Sequence, residues 1–204
     1  MLTCLALTAA VSSCLSDDDK DNNYTDLTPA QRAAQIYEMS GLYTGYIYAI
    51  NDTTMKTDSI PCEWRIIATD SSLVVNNFPV SIARYGISNV TAREILNSAG
   101  TQSLRAVLHP YNNTAFDKGY YTFTILPDNY KLSFVTEYEG KQHDVELNLT
   151  YQLNSISYAG IATVLYAVGE YYAQQMNAYI LIKDVKIDDA TYTTGSPTYI
   201  YGKK

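Results

Sequence analysis

The clearest pattern of apolar and polar positions lies between residues 130 and 151. Tyr130, Leu132, Phe134, Thr136 and Tyr138 share one side of an alternating run. Glu139-Gly140-Lys141 breaks it, and His143, Val145, Leu147, Leu149 and Tyr151 resume it. Period two on both arms of a polar, glycine-containing break predicts a β-hairpin with one buried face. The same alternation predicts strands at 46–50, 60–68, 104–108, 120–126 and 176–187, with another starting at 73–75 and a last edge strand within 191–201. Residues 155–172 form an apolar run whose periodicity fits a buried helix or a strand. Gly160, Gly169 and the β-branched residues favour a strand.

Two segments break the β pattern. Thr28-Pro29-Ala30-Gln31 carries a capping threonine, a first-turn proline and a glutamine at the capping-box position, which predicts a helix over 29–40. Its expected inner face is Ala33, Ile36 and Tyr37, and Gly41 fits its stop. Residues 79–99 read as a helical insertion: a short helix from Pro79 to Tyr85, then a capping box at Thr91-Ala92-Arg93-Glu94 and a helix ending at Gly100. No internal repeat with a period of 20 to 50 residues is visible. The chain is therefore expected to be mainly β, an antiparallel β-barrel or sandwich, preceded by one short helix and interrupted by a helical insertion around 79–99.

The length, 204 residues, fits one domain with a real core. Formal net charge is −7, and residues 17–26 alone hold five Asp and one Lys. The folded part is thus only mildly acidic. It has no Lys/Arg run to neutralise phosphates, which argues against nucleic acid as a partner. Tyrosine is the outlier, with 20 Tyr against 4 Phe and 1 Trp. Tyr favours strands and supplies contact area with a polar tip.

The amino-terminal segment sets the address. A short apolar run, Leu5 to Val11, leads into Val11-Ser12-Ser13-Cys14. It is too short for a spanning helix, which needs about 20 apolar residues, and suits a signal h-region. The order resembles the signal peptide and lipobox of a bacterial lipoprotein. The resemblance implies cleavage before Cys14, diacylglycerol on its sulfur and an acyl chain on its new amine. Met1-Leu2-Thr3-Cys4 lacks the basic residues of a signal n-region, so the true start is expected upstream. Leu15-Ser16-Asp17-Asp18-Asp19-Lys20-Asp21 resembles the acidic export signal of Bacteroidetes surface lipoproteins, in which Asp17, Asp18 and Asp19 would direct the protein to the outer face of the outer membrane. The expected organisation is signal peptide over 1–13, lipidated cysteine and acidic linker over 14–27, and a single β-rich domain over 28–204.

Candidate chemistry is sparse. Cys4 would leave with the signal peptide and Cys14 would carry lipid, so Cys62 is the one thiol left and no internal disulfide forms. Cys62 alternates with Ile60, Trp64 and Ile66, which places it on the buried side of a strand. His109 and His143 are isolated in sequence, and no cysteine or histidine spacing points to a metal. The nucleophile elbow, phosphate-binding loop and dinucleotide fingerprint are missing, so neither a catalytic residue nor a cofactor is assigned. Two carboxylates suffice for glycoside hydrolysis. Of the strand acids, Glu63, Glu137 and Glu146 fall on polar faces, and Glu139 lies in the hairpin break. Asp52-Thr53-Thr54 and Asp58-Ser59-Ile60 resemble the O-glycosylation motif of Bacteroidetes, which makes Thr53 and Ser59 candidate acceptors.

Taken whole, the chain resembles Bacteroidetes lipoproteins of about this size that carry a domain of unknown function. The resemblance rests on Cys14 with its acidic tail, the Thr28-Pro29 helix, Gly41-Leu42-Tyr43-Thr44-Gly45 and Asn77-Phe78-Pro79-Val80. Gly41-Leu42-Tyr43 also resembles the Gly-x-aromatic opening of lipocalin-like barrels. The expected function is that of a surface-exposed, lipid-anchored binding or envelope protein, held to the membrane by its lipid, with an extracellular glycan, peptide or protein as ligand. The alternatives are a small carboxylate-based hydrolase and a lipocalin-like carrier of an apolar ligand. If Cys14 is the anchor, Cys14→Ala should abolish incorporation of labelled palmitate and leave uncleaved or soluble protein. Unchanged labelling in that variant would end the lipoprotein reading.

Overall fold

The computed structural model describes residues 26–51, 56–112, 119–158, 161–194 and 197–204. Helix α1 (Pro29–Met39) begins as expected. The Thr28 side chain accepts the Gln31 N–H, and the Gln31 side chain accepts the Thr28 N–H at 2.8 Å. Such a box satisfies two otherwise orphaned donors and contributes about 1 kcal/mol. The buried face is not the expected one. Ile36 and Met39 enter the core, whereas Ala33 and Tyr37 face solvent. The helix docks by its last turn, so an i, i+3 pair near its end replaces a stripe along its length.

Strands β1 (Gly41–Asn51), β2 (Lys56–Ile67), β3 (Ser72–Pro79), β4 (Thr101–Tyr111) and β5 (Tyr121–Pro127) pair in chain order, each antiparallel to the last. β5 next pairs with β10 (Val168–Tyr172), β10 with β11 (Gln175–Ile187), β11 with β13 (Thr198–Lys203), and β13 with β1. The ring is complete: a closed, eight-stranded antiparallel barrel of meander type, the architecture that lipocalins share. The strand expected at an edge within 191–201 is in fact two. β12 (Ala190–Thr193) is a short edge, and β13 is the strand that closes the barrel. The expected antiparallel barrel is thus the architecture found; alternation along one strand carries no information on how many neighbours it has, which is why the sequence leaves barrel and sandwich both open.

Between β5 and β10 the chain leaves the barrel. β6 (Lys131–Tyr138) and β7 (Lys141–Thr150) form the expected hairpin, with Tyr138 opposite Lys141 around a two-residue turn. Glu139 and Gly140 have φ of 51° and 74°, the left-handed pair that a type I′ turn requires. β8 (Gln152–Tyr158), β9 (Ile161–Tyr166) and β10 divide the run that sequence left as one strand or a helix. β11 is long enough to serve twice. Its first half lies in the barrel, and its second half pairs with β7 and β12 in a side sheet. A register shift between Ile182 and Asp184 marks the change. The insertion around 79–99 is present as a 3-10 turn (Val80–Arg84) and helix α2 (Val90–Ser98). Its cap is Asn89, whose side chain accepts the Ala92 N–H at 2.9 Å, two residues ahead of the expected Thr91. Asn at this position caps as well as Thr, and it lets Ala92, Ile95 and Leu96 all reach the core.

Strand directions put α1 at one barrel end, and the 3-10 turn, α2 and side sheet at the other. The barrel interior is apolar and full. Tyr43, Ile47, Trp64, Leu73, Leu108, Phe123, Met176 and Ile200 are all essentially inaccessible. Outward positions such as Glu63, Arg65 and Arg105 are exposed and charged. A packed apolar lumen is unlike the polar interior of a membrane-spanning barrel.

Three glycines permit this packing. Gly45 and Gly202 face each other across β1 and β13. A Cβ on Gly45 would lie 2.1 Å from the Tyr201 carbonyl oxygen, and one on Gly202 would lie 2.5 Å from the Trp64 ring. A Cβ on Gly169 would meet Phe123 at 2.4 Å. Gly202→Ala should therefore destabilise the domain by about 2 kcal/mol or more, since neither a backbone oxygen nor a buried indole can step aside. Urea denaturation would measure it, and an unshifted midpoint would show that the barrel is looser than described.

Candidate functional site

Large rings pack into the lumen, with Phe123 against bare backbone at Gly169 and Trp64 at Gly202. The exterior is where binding chemistry lies, and two places stand out.

The first is a tyrosine wall. Outward positions of β1 and β13 alternate with the inward core, so Tyr46 and Tyr48 lie directly across from Tyr201 and Tyr199. Tyr179 on β11 lies across from Tyr199 in turn. Tyr48 and Tyr199 stack at 4.9 Å with their rings 13° apart. Tyr46 leans on Tyr48 at 6.0 Å, and Tyr179 on Tyr199 at 6.0 Å. Tyr46 is 46% exposed and Tyr201 37%. The Tyr201 hydroxyl donates to Gln175 Oε1 at 2.7 Å. Exposed Pro61 is in register with Tyr46, and exposed Ser59 with Tyr48. Of the charges beside the wall, Glu63 and Lys203 lie next to Thr44 toward the α1 end, and Glu170 on β10 acts on Tyr179 at the other margin. The centre of the wall is thus uncharged, aromatic and hydroxyl-bearing. Burial first, and then the neighbouring Tyr46 and Tyr201 hydroxyls, pushes the Tyr48 phenol above its ordinary pKa, so it stays protonated and able to donate.

The second is a cleft of about 560 Å³ between α2 and the β11–β12 turn. His143, at the start of β7, lines it. Its Nδ1 lies 2.9 Å from Asp188 Oδ2. Asp188 Oδ1 accepts the Asp144 N–H at 3.0 Å, and the Asp188 N–H donates to the Asp144 carbonyl at 2.8 Å. The histidine contact, then the backbone bond, holds the Asp188 carboxyl below its ordinary pKa, so it is ionised at neutral pH. Asp188 has φ of 53°, a left-handed conformation that aspartate tolerates better than most residues.

The residues singled out from sequence are scattered. Cys14, Asp17, Asp18, Asp19 and Thr53 lie outside the described residues. Ser59 is inside β2, on the outer wall, rather than at the edge of a turn. His109 is exposed within β4, which runs on through Pro110 to Tyr111, so it does not mark a strand end. Glu63 and Glu137 point to solvent, Glu139 sits in the hairpin turn, and Glu146 pairs with Lys131 at 3.0 Å. Sequence reading missed the pairing of His143 with Asp188, 45 residues apart. It saw the tyrosine excess but not the wall, although Tyr46-x-Tyr48 and Tyr199-x-Tyr201 each show the phase.

Another tyrosine cluster is structural. The hydroxyls of Tyr43 and Tyr121 donate to the Met39 carbonyl and the Glu38 carboxylate at 2.5 Å each, and Lys204 Nζ donates to the Glu38 carbonyl. The Glu38 bond, ahead of burial, pushes the Tyr121 phenol up to about 12. Among the described residues no three His, Cys, Asp or Glu side chains converge as a metal site.

The fold and its surfaces define a small, closed antiparallel barrel with a filled lumen and its accessible chemistry on the outside. Residues 38–187 match the family model described as Domain of unknown function (DUF4840), and the chain belongs to that family. The match covers β1 to β11 and stops before the closing strand β13. No curated protein matches the chain.

Cys62 is buried, as its strand phase required. Burial, with a smaller push from Glu63, raises its thiol to about 11. A folded-state value above the unfolded one means that the native state holds the proton more tightly. That contribution to stability is complete below about pH 8.5 and fades as pH climbs toward 11. At pH 8 the native thiol should react with a disulfide reagent far more slowly than the urea-unfolded chain. Comparable rates would show that Cys62 is accessible.

Proposed function

We propose that this protein is a lipid-anchored binding protein of the bacterial cell surface, which takes an extracellular glycan or protein segment on its tyrosine wall. The observation that carries the reading is the wall itself: Tyr46, Tyr48, Tyr179, Tyr199 and Tyr201 on three paired strands, with no charge at the centre. Tyr gives a large contact area at low entropic cost together with a hydroxyl for hydrogen bonding, and it is enriched at binding faces for that reason. A strand scaffold holds the rings in fixed register, so little order is lost on binding.

The anchor reading rests on Cys14 and the acidic run after it. From Cys14 to Thr28 the chain spans up to about 45 Å when extended, enough to hold the domain clear of a membrane surface. Ser59 is exposed beside Tyr48, and a sugar attached there would lie against the wall. The filled lumen disfavours a carrier of apolar ligands. A hydrolase finds less support than a binder, since Glu146 is tied to Lys131 and Asp188 to His143.

The experiment is a glycan array and a peptide array probed with the mature chain carrying Cys14→Ser. A hit should weaken at least about tenfold in a Tyr48→Ser, Tyr199→Ser double variant, as expected for central aromatic contacts. Full binding by a folded double variant would remove the wall from the function.

A further inference from the structure

We propose that the cleft between α2 and the β11–β12 turn is a binding site for a neutral saccharide, separate from the tyrosine wall. It is an open cleft with about 560 Å³ of space, enough to seat one sugar ring with one side left to solvent. Its floor is apolar: Ala92, Ile95 and Ile187 are buried there. Its polar groups are Asn89, Thr91, His143, Asp188 and Asp189, with half-buried Tyr192 beside them. A sugar ring presents a C–H face and a rim of hydroxyls, each able to donate and accept. It needs an apolar or aromatic surface for the first and a mixture of donors and acceptors for the second. The cleft holds that combination.

The acid–histidine pair sets the polarity of the rim. An ionised carboxylate only accepts, so Asp188 requires the proton on His143 Nδ1. In the neutral ring Nε2 is then left as an acceptor for a ligand hydroxyl. Asp188 spends its other oxygen on the Asp144 N–H. Asp189 is therefore the carboxylate left to a ligand, and it accepts from hydroxyls as readily as from a cation.

The charge pattern disfavours ionic ligands. An anion would meet two adjacent aspartates, Asp188 and Asp189, which oppose the pull of the α2 N-terminus and of Lys141 near Asp188. A cation would find Asp188 committed and the positive end of α2 close by, at Thr91 and Ala92. A neutral polyhydroxylated molecule meets neither penalty.

The test is an amide-shift titration of the whole mature chain, carrying Cys14→Ser, with neutral methyl glycosides of glucose, galactose, mannose and N-acetylglucosamine. Methylguanidinium and glucuronate serve as charged controls. At least one neutral glycoside should shift the amides of Thr91, His143, Asp189 and Tyr192 in a saturable way. Asp189→Asn and Thr91→Ala change exposed side chains and should leave the fold intact. Each should weaken that binding, Asp189→Asn by about tenfold, the usual worth of a hydrogen bond to a charged group. His143→Gln should weaken it too, while Tyr199→Ser should not. Shifts confined to the tyrosine wall, no shift with any glycoside up to its solubility, or stronger binding of methylguanidinium or glucuronate would each overturn the assignment. Binding to the wall alone would leave the proposed function standing, so the two readings fail separately.

Discussion

The barrel depends on the approach of β1 and β13 at Gly45 and Gly202. With no side chain on either residue, Trp64 lies directly over backbone. Tyr43 stacks on its ring at 5.7 Å, nearly parallel, and the Trp64 Nε1–H donates to Met176 Sδ at 3.2 Å. Those contacts link β2, β1, β13 and β11, four consecutive strands of the ring. Closure removes the sheet edge that an open eight-stranded sheet would expose to other chains. It also fixes the lumen at a width that packed side chains fill.

A second constraint acts at the α1 end. The last carbonyls of a helix have no partner within it. In α1 they are met by barrel groups: Tyr43 on the Met39 carbonyl and Lys204 on the Glu38 carbonyl. The Lys204 ammonium also lies over the Tyr171 ring at 5.6 Å and favours the negative end of the helix. Helix and barrel thus satisfy each other, and Ile36 and Met39 cover the end of the core. Tyr43, Tyr121 and Tyr171 all serve this joint, so tyrosine content alone is a poor guide to a binding face.

What was legible in the chain follows from what local pattern encodes. The α1 cap was readable because Thr28, Pro29 and Gln31 act on their own neighbours. The β6–β7 hairpin was readable because Glu139-Gly140 is a turn signal between two alternating runs. The β10–β11 hairpin was hidden, since its turn is Ala173-Gln174. Both residues are left-handed, with φ of 49° and 65°, and neither is a turn former. Tertiary pairing of β10 with β5 and of β11 with β13 holds that turn against its own preference. The outer tyrosines were visible as residues but not as neighbours, because a wall exists only once β13 is placed between β1 and β11. The cleft was wholly hidden: His143 and Asp188 are brought together by the side sheet.

One strand carries both candidate sites. Tyr179 on β11 belongs to the tyrosine wall, and nine residues later Asp188 closes the cleft, a rise of up to about 30 Å. Between them Ile180, Leu181 and Ile182 are all buried, because β11 passes there from barrel to side sheet and has core on both faces. A strand clamped on both sides at its midpoint has little freedom to bend. The wall and the cleft are therefore held at a fixed spacing and angle, set by the irregularity at Lys183. A polymeric ligand long enough to touch both would meet two sites already in register. Its second contact would be intramolecular and gain from a high effective concentration. A short ligand would gain nothing from the arrangement. Length dependence of affinity is thus a physical consequence of how β11 is shared, whichever chemistry the ligand brings.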